Sequence, residues 1–474
     1  MHMTIRERLH RAIGALVGSA VGDALGAPFE FQPAGSFSRR FPERALGTST
    51  EMCGSATWEK GEWTDDTQMA LIVAGSLLRS GELEEAEIFD GFVAWAHAPL
   101  KDIGNQTSAV LRSGLPWDQA AADYVASGRQ AAGNGSLMRS TPGAIFFAGN
   151  HDASVDAARR ISALTHADPA ADEGCVIFHL LVAAALDGCD PLAEVGGALE
   201  VVKPAERERW ARVLDPAWTP DKATESNGAV WPTLGTALWA LRRSSTFEGA
   251  LRLAVDVGND TDTVACVTGA IAGAVYGIGG IPSRWTTVVH GDVPGNDAVA
   301  TDLTGLTRVA GALLTGPGSP AGRPTSGGDE RPTGEPAIPP VEVLPKLWLT
   351  NLTGAAQTPP DAAVISLCRT FDEVPHETRR AVYLIDKDDN PAVDTVLRDV
   401  LDEIDAFHAE GRDVVVHCWG GRSRTGLVLR AYLRRTRGLS AAEATAEAKR
   451  LWRHTDTWNT SFDTALERYG GPAG

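Results

Sequence analysis

Two kinds of chemically reactive site stand out in the sequence, and the first is a cysteine in a glycine-rich loop. Cys418 follows the β-branched residues 414–416, begins the stretch CWGGRSRTG, and precedes an apolar segment at residues 427–433. A strand, a glycine-rich turn and a helix start form a cradle for an anion, because backbone N–H groups and the helix dipole point into the turn. The same groups and Arg424 would stabilise a thiolate, and a guanidinium can bind two phosphate oxygens at once. The pattern therefore predicts cysteine-dependent hydrolysis of a phosphate ester.

The second is a pair of acidic clusters that lie far apart in the sequence. Residues 63–67 (WTDDT) and residues 258–263 (GNDTDT) each directly precede an apolar helical run. Consecutive acids before a helix are usually N-caps or part of a solvated loop, and either cluster alone fits that explanation. Two such clusters can also converge, and their carboxylate and hydroxyl oxygens would suit Mg²⁺ or Mn²⁺, whereas zinc favours His and Cys ligands. We therefore expect a divalent metal site.

Three further motifs accompany the clusters: residues 18–26 (GSAVGDALG) with Glu30 shortly after them, residues 133–139 (GNGSLMR), and Thr165-His166. Together the five motifs resemble the ADP-ribosylglycohydrolase family, the all-helical fold of the dinitrogenase-reductase-activating enzymes, over about residues 6–314. The resemblance implies hydrolytic release of ADP-ribose from a modified protein or small molecule, with two Mg²⁺ or Mn²⁺ ions as cofactors. The metal ligands that it implies are Thr64, Asp65, Asp66, Asp260, Asp262 and Thr263.

The same resemblance implies roles in catalysis and substrate binding. Asp66 is the preferred carboxylate for orienting or deprotonating the attacking water, and Glu30, which matches the family's active-site glutamate, is the second choice. His166 would lie near the ribose or the diphosphate, although a lone histidine is more often structural. Backbone N–H groups are expected to contact the diphosphate at Gly133, Asn134, Gly135 and Ser136.

The order His-Cys, five residues, Arg-Thr-Gly resembles the signature loop of the protein tyrosine and dual-specificity phosphatases. This resemblance implies that Cys418 attacks phosphorus to give a phosphocysteine, that Arg424 stabilises the transition state, and that Thr425 assists release of the thiolate. Further substrate contacts are expected from the loop residues Trp419, Gly420, Gly421, Arg422 and Ser423.

The phosphatase resemblance also requires an aspartic general acid on an earlier loop. Asp386 has the best spacing from the cysteine, and Asp388 and Asp389 stay open as alternatives. A movable loop cannot be aligned from one sequence, so the three residues are carried together.

The sequence changes character twice, which predicts two domains and a linker. Residues 1–315 are Ala- and Leu-rich stretches broken at Gly, Asp and Pro, and they predict an all-α domain. Residues 316–340, rich in Gly, Pro, Ser and Thr, predict a flexible linker. Residues 341–474 alternate short apolar runs with helical segments and predict an α/β domain. Helices are expected at residues 68–78, 84–95, 152–164, 175–186, 249–255 and 393–409, and strands at residues 346–349, 363–367, 382–385 and 414–417.

Composition limits the remaining possibilities. The chain has 474 residues and a formal net charge of −18, which disfavours nucleic-acid binding because phosphate contacts need clustered Lys and Arg. Its six cysteines form no CxxC pair, so we expect the protein to reside in the reducing cytoplasm and to lack disulfides. The apolar residues 12–21 and 264–281 are interpreted as internal helices, not as a signal peptide or a membrane span.

Two other functions stay open at this stage. The first domain could act on a small molecule such as ADP-ribose 1″-phosphate, with the second domain removing the phosphate. Alternatively, one domain could act only as a binding module. The full set of acidic ligands in the first domain and the intact Cys-to-Arg spacing in the second argue for catalysis instead. The sequence does not determine the molecule that carries ADP-ribose, the phosphatase substrate or the oligomeric state. Arg422 adds a second positive charge to the loop and favours a polyanionic substrate.

Overall fold

A computed structural model describes residues 3–297, 299–316, 336–368, 374, 376–387 and 390–469, which form two compact units. Unit 1 contains the described residues up to Glu43, Met52–Ile281, and those from Val288 to Gly316. Unit 2 contains Arg44–Glu51, Pro282–Thr287 and the described residues from Pro336 onward. Most of the predicted linker lies outside the described residues.

Unit 1 is all-α, as the sequence predicted, and the five helices expected in it are present, with ends that differ from the expected ones by at most six residues. Short 3₁₀ helices lie at Ala27–Phe29, Pro220–Lys222 and Ile278–Gly280. The α-helices in chain order are α1 (Ile5–Gly26), α2 (Ser36–Arg40), α3 (Asp65–Ser80), α4 (Glu85–Ala96), α5 (Asn105–Leu111), α6 (Ala120–Ala126), α7 (Thr141–Phe146), α8 (His151–Ala163), α9 (Pro169–Leu186), α10 (Val195–Val201), α11 (Pro204–Val213), α12 (Val230–Arg242), α13 (Phe247–Val255), α14 (Thr261–Tyr276), α15 (Ser283–Thr286), which belongs to unit 2, and α16 (Leu303–Thr315).

Helices α1 and α14 pack backbone against backbone at the centre of unit 1. Residues four apart share one face of a helix, and α1 carries glycine at every fourth position of the face that meets α14. A β-carbon at Gly22 would lie 2.5 Å from the carbonyl carbon of Ala265, so only glycine fits there. The last turn of α1 is fixed to the first turn of α14 by the hydroxyl of Thr261, which donates to the carbonyl oxygen of Gly26 at 2.9 Å. The packing therefore brings the motif at residues 18–26 next to the second acidic cluster.

Unit 2 is α/β, as predicted, and contains a five-stranded mixed sheet in the order β1-β2-β5-β3-β4. Strands β2, β5, β3 and β4 are parallel, and β1 pairs antiparallel with β2 at one edge. The strands are β1 (Val341–Leu344), β2 (Leu347–Asn351), β3 (Ala363–Ser366), β4 (Arg379–Ala381) and β5 (Val414–Cys418). The helices after α16 are α17 (Leu352–Ala355), α18 (Val393–Ala409), α19 (Ser423–Arg437), α20 (Ala441–Leu451) and α21 (Thr460–Arg468).

Side chains alternate between the two faces of a strand, and in the central strand β5 the side chains on both faces are buried. Val414, Val416 and Cys418 belong to the larger apolar core, which also includes residues of α18, α19, α20 and α21. Val415 belongs to a smaller core on the other face with Leu352 of α17. A strand buried on both sides reads as a continuous apolar run, which explains why residues 414–417 were recognised from the sequence.

The strand expected at residues 382–385 is wrong. The fourth strand is β4, three residues earlier, and residues 382–386 have no regular secondary structure. In place of a partner strand, the carbonyl oxygen of Leu384 accepts a hydrogen bond from Nη1 of Arg424 at 3.1 Å. The N–H of Val382 still donates to the carbonyl oxygen of Ser366 in β3 at 2.9 Å, but beyond it the apolar run reflects burial rather than sheet pairing.

Two helical segments of unit 1 are long and apolar enough to cross a membrane, Ile5–Phe29 and Pro169–Leu186. Their most apolar windows are 100% and 72% buried within the protein, which is the behaviour of core helices. Residues 264–281 overlap α14, whose side chains from Thr261 to Ala274 are buried. The interpretation of both apolar segments as internal helices therefore agrees with the fold.

Candidate active sites

A buried aspartate of α1 positions the first acidic cluster of unit 1. Asp23 is fully buried, and its Oδ1 accepts a hydrogen bond from the N–H of Thr64 at 3.0 Å. Its Oδ2 accepts from the N–H and the hydroxyl of Thr67, at 3.1 and 2.5 Å. These donors belong to the first turn of α3. Asp23 therefore fixes the position of that turn, which carries the side chains of Asp65 and Asp66. The carboxylate also satisfies N–H groups that every helix start leaves without an intrahelical partner.

Two asparagines position the second acidic cluster. The side-chain nitrogen of Asn134 donates to Oδ2 of Asp260 at 2.9 Å. Asn227 binds the backbone of Asp260 from both sides, accepting from its N–H at 3.2 Å and donating to its carbonyl oxygen at 3.0 Å. Two segments therefore hold the loop before α14. They are the loop that contains Asn134 and the segment before α12 that contains Asn227.

The two clusters converge, as the sequence predicted. The hydroxyl of Thr263 donates to Oδ1 of Asp66 at 3.3 Å. Burial raises the pKa of Asp66 and of Asp262 well above that of a free aspartate, and the neighbouring carboxylates, Asp260 among them, raise it further. Burial, followed by the charges of nearby aspartates, raises the pKa of Asp65 to about 7. The charged forms of these carboxylates therefore disfavour one another in this space.

Two carboxylate oxygens in this space have no hydrogen-bond partner among the described residues. They are Oδ2 of Asp66 and Oδ1 of Asp260, and both are buried. Buried acceptors without partners are rare and call for an explanation, which a cation would provide. In the described part of the chain, however, no group of three or more His, Cys, Asp or Glu side chains is placed so that it could hold a metal ion. The predicted site therefore depends on the hydroxyl groups of Thr64 and Thr263 as well as on carboxylates.

Glu30 lies on a loop that pairs with the loop of the second cluster. The N–H of Phe31 donates to the carbonyl oxygen of Asn259 at 2.7 Å, and the N–H of Asn259 donates to the carbonyl oxygen of Gln32 at 2.8 Å. Burial, followed by the charge of Asp102 and then those of other aspartates of the site, raises the pKa of Glu30 to about 8. The loop of Glu30 therefore lies beside the loop of the second acidic cluster, although the two are far apart in the sequence.

The glycine-rich loop differs from the expectation at Asn134. The N–H of Asn134 donates to the carbonyl oxygen of Gly228 at 3.1 Å, so the expected contact of this N–H with a diphosphate is wrong. Ser136 is fully buried, and its hydroxyl accepts a hydrogen bond from Ser162 at 3.0 Å. The side chain of Asn134 in this loop instead holds Asp260, and a role of the loop in binding the diphosphate stays a prediction.

His166 is 2% exposed and packs beneath this loop. Its Nδ1 forms a 2.8 Å hydrogen bond with the hydroxyl of Thr165. A β-carbon at Gly135 would lie 2.9 Å from Cε1 of His166, and one at Gly133 would lie 3.1 Å from Nε2. Both glycines therefore leave room for the imidazole, which gives His166 a packing role. A role near the ribose stays a prediction.

In unit 2, the loop between β5 and α19 has the geometry of an anion cradle. Cys418 ends β5 with 2% exposure, and Ser423 begins α19. Gly421 has φ +63°, and a β-carbon there would lie 2.7 Å from the carbonyl oxygen of Thr350, so this tight turn requires glycine. The carbonyl oxygen of Gly421 accepts a 2.8 Å hydrogen bond from the indole of Trp452, which holds the turn from outside.

Arg424 connects the cradle to the loop of the predicted general acid. Its Nη1 donates to the carbonyl oxygens of Leu367 and Leu384, at 2.9 and 3.1 Å. Its Nε lies 4.0 Å from Oδ2 of Asp386. The other oxygen of Asp386 accepts from the hydroxyl of Ser423 at 2.9 Å. The structure therefore brings Asp386 next to the cradle, while Asp388 and Asp389 lie outside the described residues.

Three further side chains of the cradle have defined surroundings. The Oγ1 of Thr425 is buried and has no hydrogen-bond partner among the described residues. Burial lowers the pKa of His417 to about 4, and its Nε2 forms a 2.7 Å hydrogen bond with Ser366. His417 is therefore neutral, and its hydrogen bond to Ser366 of β3 fixes the end of β5. Arg422 is exposed, whereas Trp419 and Gly420 are half-buried.

Sequence comparison identifies both parts of the chain. The sequence model of the ADP-ribosylglycohydrolase family matches residues 4–316. The chain belongs to this family. The model of the dual specificity phosphatase catalytic domain matches residues 362–463. The chain therefore joins an ADP-ribosylglycohydrolase domain to a dual specificity phosphatase domain, as both resemblances predicted. These families act on ADP-ribosylated and phosphorylated substrates in general, so the chain combines two kinds of hydrolase.

Several relatives resemble the ADP-ribosylglycohydrolase part. ADP-ribosylarginine hydrolase Tri1 of Pseudomonas putida (strain GB-1) is 32% identical over 303 residues, covering 60% of this chain and 76% of the relative. ADP-ribosyl-(dinitrogen reductase) glycohydrolase of Rhodospirillum rubrum is 31% identical over 288 residues, covering 58% and 88%. A solved structure described as an ADP-ribosylglycohydrolase-related protein complex is 33% identical, with a TM-score of 0.51, and covers 65% of this chain and 98% of that one.

Sequence reasoning missed two acidic residues of this ADP-ribosylglycohydrolase domain. Asp23 was inside a quoted motif, and a charged residue in the apolar run of α1 was the signal that could have identified it. Asp102 lies in the loop before α5, outside the motifs that carry the resemblance. Its charge acts on both Glu30 and Asp65, which only the fold brings near it.

Proposed function

We propose that unit 1 removes ADP-ribose from arginine side chains of a modified protein, with two Mg²⁺ or Mn²⁺ ions as cofactors. The observation that carries the metal requirement is the pair of buried carboxylate oxygens without partners, on Asp66 and Asp260. The choice of arginine rests on the name of the relative ADP-ribosylarginine hydrolase. The proposed ligands are Thr64, Asp65, Asp66, Asp260, Asp262 and Thr263.

The chain's own residues have separate roles in this proposal. Bound divalent ions would supply Lewis-acid stabilisation of the nucleophilic water and of the ribose hydroxyls. Asp66 orients or deprotonates the water that attacks the anomeric carbon, and Glu30 is the second candidate for that role. Asp23 and Asn134 act through other residues, because they hold the first turn of α3 and the carboxylate of Asp260.

The proposal for unit 1 is tested with the full chain and an arginine-ADP-ribosylated protein. We expect release of ADP-ribose with Mg²⁺ or Mn²⁺ and none with a chelator present. Asp66→Asn should abolish release, whereas the matched control Asp152→Asn should keep it, because the Asp152 side chain is fully exposed on α8. Release that persists in Asp66→Asn, or that is indifferent to the chelator, would contradict the assignment.

For unit 2 we propose hydrolysis of phosphomonoesters through a phosphocysteine. Cys418 attacks phosphorus and the leaving oxygen departs with a proton from Asp386, so the P–O bond breaks as the S–P bond forms. Arg424 and the N–H groups of the loop stabilise the charge that develops on the phosphoryl oxygens. A water then attacks phosphorus and gives its proton to the carboxylate of Asp386, so that a P–O bond forms as the S–P bond breaks, and the hydroxyl of Thr425 stabilises the departing thiolate. The observation that carries this proposal is the position of Cys418, Arg424 and Asp386 around one anion cradle.

The test uses para-nitrophenyl phosphate and the full chain. Cys418→Ser should reduce turnover to the rate of the buffer blank, because a serine hydroxyl in this loop is a far weaker nucleophile than a thiolate. Cys189→Ser is the matched control, since Cys189 is exposed and belongs to unit 1. Turnover that survives Cys418→Ser refutes the thiolate mechanism, even if unit 1 is active.

A further inference from the structure

The segment between α20 and α21 contacts both parts of the phosphatase site. Trp452 directly follows α20, and its indole donates to the carbonyl oxygen of Gly421 in the cradle at 2.8 Å. Thr455 packs against the first turn of α19, where a β-carbon at Gly426 would lie 3.0 Å from its Cγ2. Asn459 is the N-cap of α21, and its side chain reaches the loop of the predicted general acid. One short segment therefore connects the cradle to the acid loop.

Asn459 is 1% exposed, and the two ends of its amide have different partners. Its Oδ1 caps α21 by accepting from the N–H groups of Ser461 and Phe462, at 3.1 and 3.4 Å. Its Nδ2 donates to Oδ1 of Asp386 at 3.2 Å and to the carbonyl oxygen of Lys387 at 3.1 Å. A reversed amide would set donor against donor and acceptor against acceptor, so these partners fix its orientation.

A helix cap uses only the oxygen of this amide. Serine and aspartate cap helices about as well as asparagine, so the cap does not account for the nitrogen. That nitrogen is directed instead at the carboxyl group of Asp386. The same carboxyl oxygen, Oδ1, also accepts from the hydroxyl of Ser423 at 2.9 Å, while Oδ2 lies 4.0 Å from Nε of Arg424. The two oxygens of Asp386 therefore have different surroundings.

A protonated carboxyl group donates from one oxygen and accepts at the other. Because Oδ1 of Asp386 accepts from both Ser423 and Asn459, the proton is carried on Oδ2. Oδ2 is the oxygen on the side of Arg424, whose guanidinium belongs to the cradle. We propose that Asn459 is a positioning residue that fixes Asp386 in this orientation, so that its proton faces the leaving oxygen of the substrate. The inference rests on the function proposed for unit 2, and Asn459 itself does not touch the substrate.

The test uses Asn459→Ser in the full chain. Serine keeps the helix cap, but its hydroxyl is too short to reach Asp386. The hydroxyl of Ser461, which donates to the carbonyl oxygen of Lys387 at 3.1 Å, still connects the loop to α21. The variant therefore removes the donor to the carboxyl group and leaves its surroundings in place. Thr464→Gly is the matched control for a weakened α21, since Thr464 is exposed and glycine disfavours a helix.

The leaving group separates the orientation of an acid from a general loss of structure. Phenyl phosphate releases a basic phenolate that needs a proton, whereas 2,4-dinitrophenyl phosphate releases a weakly basic anion that departs without one. A general acid typically contributes about 10²- to 10⁴-fold, so we expect Asn459→Ser to lower kcat/KM about tenfold for phenyl phosphate and less than about twofold for 2,4-dinitrophenyl phosphate. Thr464→Gly should keep both values. Equal losses with both substrates, or no loss with either, overturn the proposal.

A double-variant cycle tests whether the effect passes through Asp386. Asp386→Asn should lower kcat/KM for phenyl phosphate more than Asn459→Ser does. Adding Asn459→Ser to Asp386→Asn should then cost nothing further, because two residues that act through one proton are not additive. Losses that add up in the double variant show that Asn459 acts elsewhere and overturn the proposal.

A measurement without turnover separates this proposal from the proposed function. The ¹³C resonance of the Asp386 carboxyl group is identified in the full chain by its absence in Asp386→Asn. It should shift in Asn459→Ser, which removes one of its hydrogen bonds, and stay in place in Thr464→Gly. An unchanged resonance in Asn459→Ser overturns the proposal. An absence of turnover in the wild-type chain refutes only the function proposed for unit 2, and the resonance still reports whether Asn459 holds Asp386.

Discussion

The contact between α1 and α14 yields a prediction whose sign can be worked out from the structure. In most helices, replacing an interior glycine by alanine stabilises the protein, by about 0.5–1 kcal/mol. At Gly22 we expect the opposite. The new β-carbon would lie 2.5 Å from the carbonyl carbon of Ala265 and 2.9 Å from the N–H nitrogen of Cys266. Both neighbours are backbone atoms, so no side-chain rotation relieves the clash.

The two helices must therefore separate, by about 1 Å if the β-carbon is to reach ordinary van der Waals distance. Overpacking of this kind typically lowers the free energy of unfolding by about 1–3 kcal/mol, and more where backbone has to move. Since Gly18 and Gly26 make equally close contacts along the same face, a shift at Gly22 also opens those. After subtraction of the gain in helix propensity, we expect Gly22→Ala to lose about 2 kcal/mol or more.

Differential scanning calorimetry of the full chain measures this loss, and Gly196→Ala is the matched control. Gly196 lies in the exposed helix α10, where a β-carbon would meet nothing within 4 Å. At roughly 2 °C per kcal/mol for a domain of this size, Gly22→Ala should lower Tm by about 4 °C or more, and Gly196→Ala should raise it slightly. If Gly22→Ala leaves Tm unchanged or raises it, the backbone contact between α1 and α14 is refuted.

Three further variants test separate parts of the chain. Asp23→Asn should raise the Mn²⁺ concentration needed for half-maximal ADP-ribose release, because an amide has only one acceptor oxygen and cannot accept from Thr64 on one side and from Thr67 on the other; an unchanged Mn²⁺ titration would contradict its positioning role. Thr425→Ala should slow breakdown of the phosphocysteine more than its formation, so a burst of para-nitrophenol should precede a reduced steady rate, and a slower burst with no change in the later steps would argue against its role. His179→Gln should reduce the acid sensitivity of folding. Burial lowers the pKa of His179 from 6.5 in the unfolded chain to about 4, so stability is full above pH 6.5 and falls by about 1.4 kcal/mol per pH unit as the pH drops toward 4. Urea unfolding at pH 7 and pH 5 should show a smaller difference in the variant than in the wild-type chain, and equal differences would contradict the assignment.

Local chemistry decided which features the sequence could predict. The cradle around Cys418 was predictable because strand, turn and helix start are consecutive, and each of them has a local signal. The α-helix at residues 393–409 was predicted with the bounds that the structure has. The five helices expected in unit 1 were recognised with larger errors at their ends, up to the six residues by which α9 begins before residue 175.

Features that depend on contacts between distant residues were missed. Residues 382–385 looked like a strand because they are apolar, but the carbonyl oxygen of Leu384 is bound by Arg424, which follows it by a long stretch of chain. Asn134 was expected to act through its N–H, yet the antiparallel bridge from Gly133 to Ala229 uses that N–H and turns the side chain toward Asp260. Neither contact has a signature in one sequence, since each depends on where another segment folds.

The structure bears on the two explanations of the acidic clusters that the sequence left open, which are helix N-caps or a solvated loop and a metal site. Had they been N-caps or a solvated loop, their carboxylates would be exposed or paired with the first turn of a helix. Asp66 is instead buried and Asp260 half-buried, and each has one buried oxygen without a hydrogen-bond partner in the described residues. The groups that hold Asp23 and Asp260 are backbone N–H groups, a threonine hydroxyl and an asparagine amide, all of them neutral. Neutral donors orient a carboxylate without cancelling its charge, so several negative charges gather in one buried space at a large electrostatic cost. A fold that maintains such an arrangement with neutral supports favours the proposal that cations complete it.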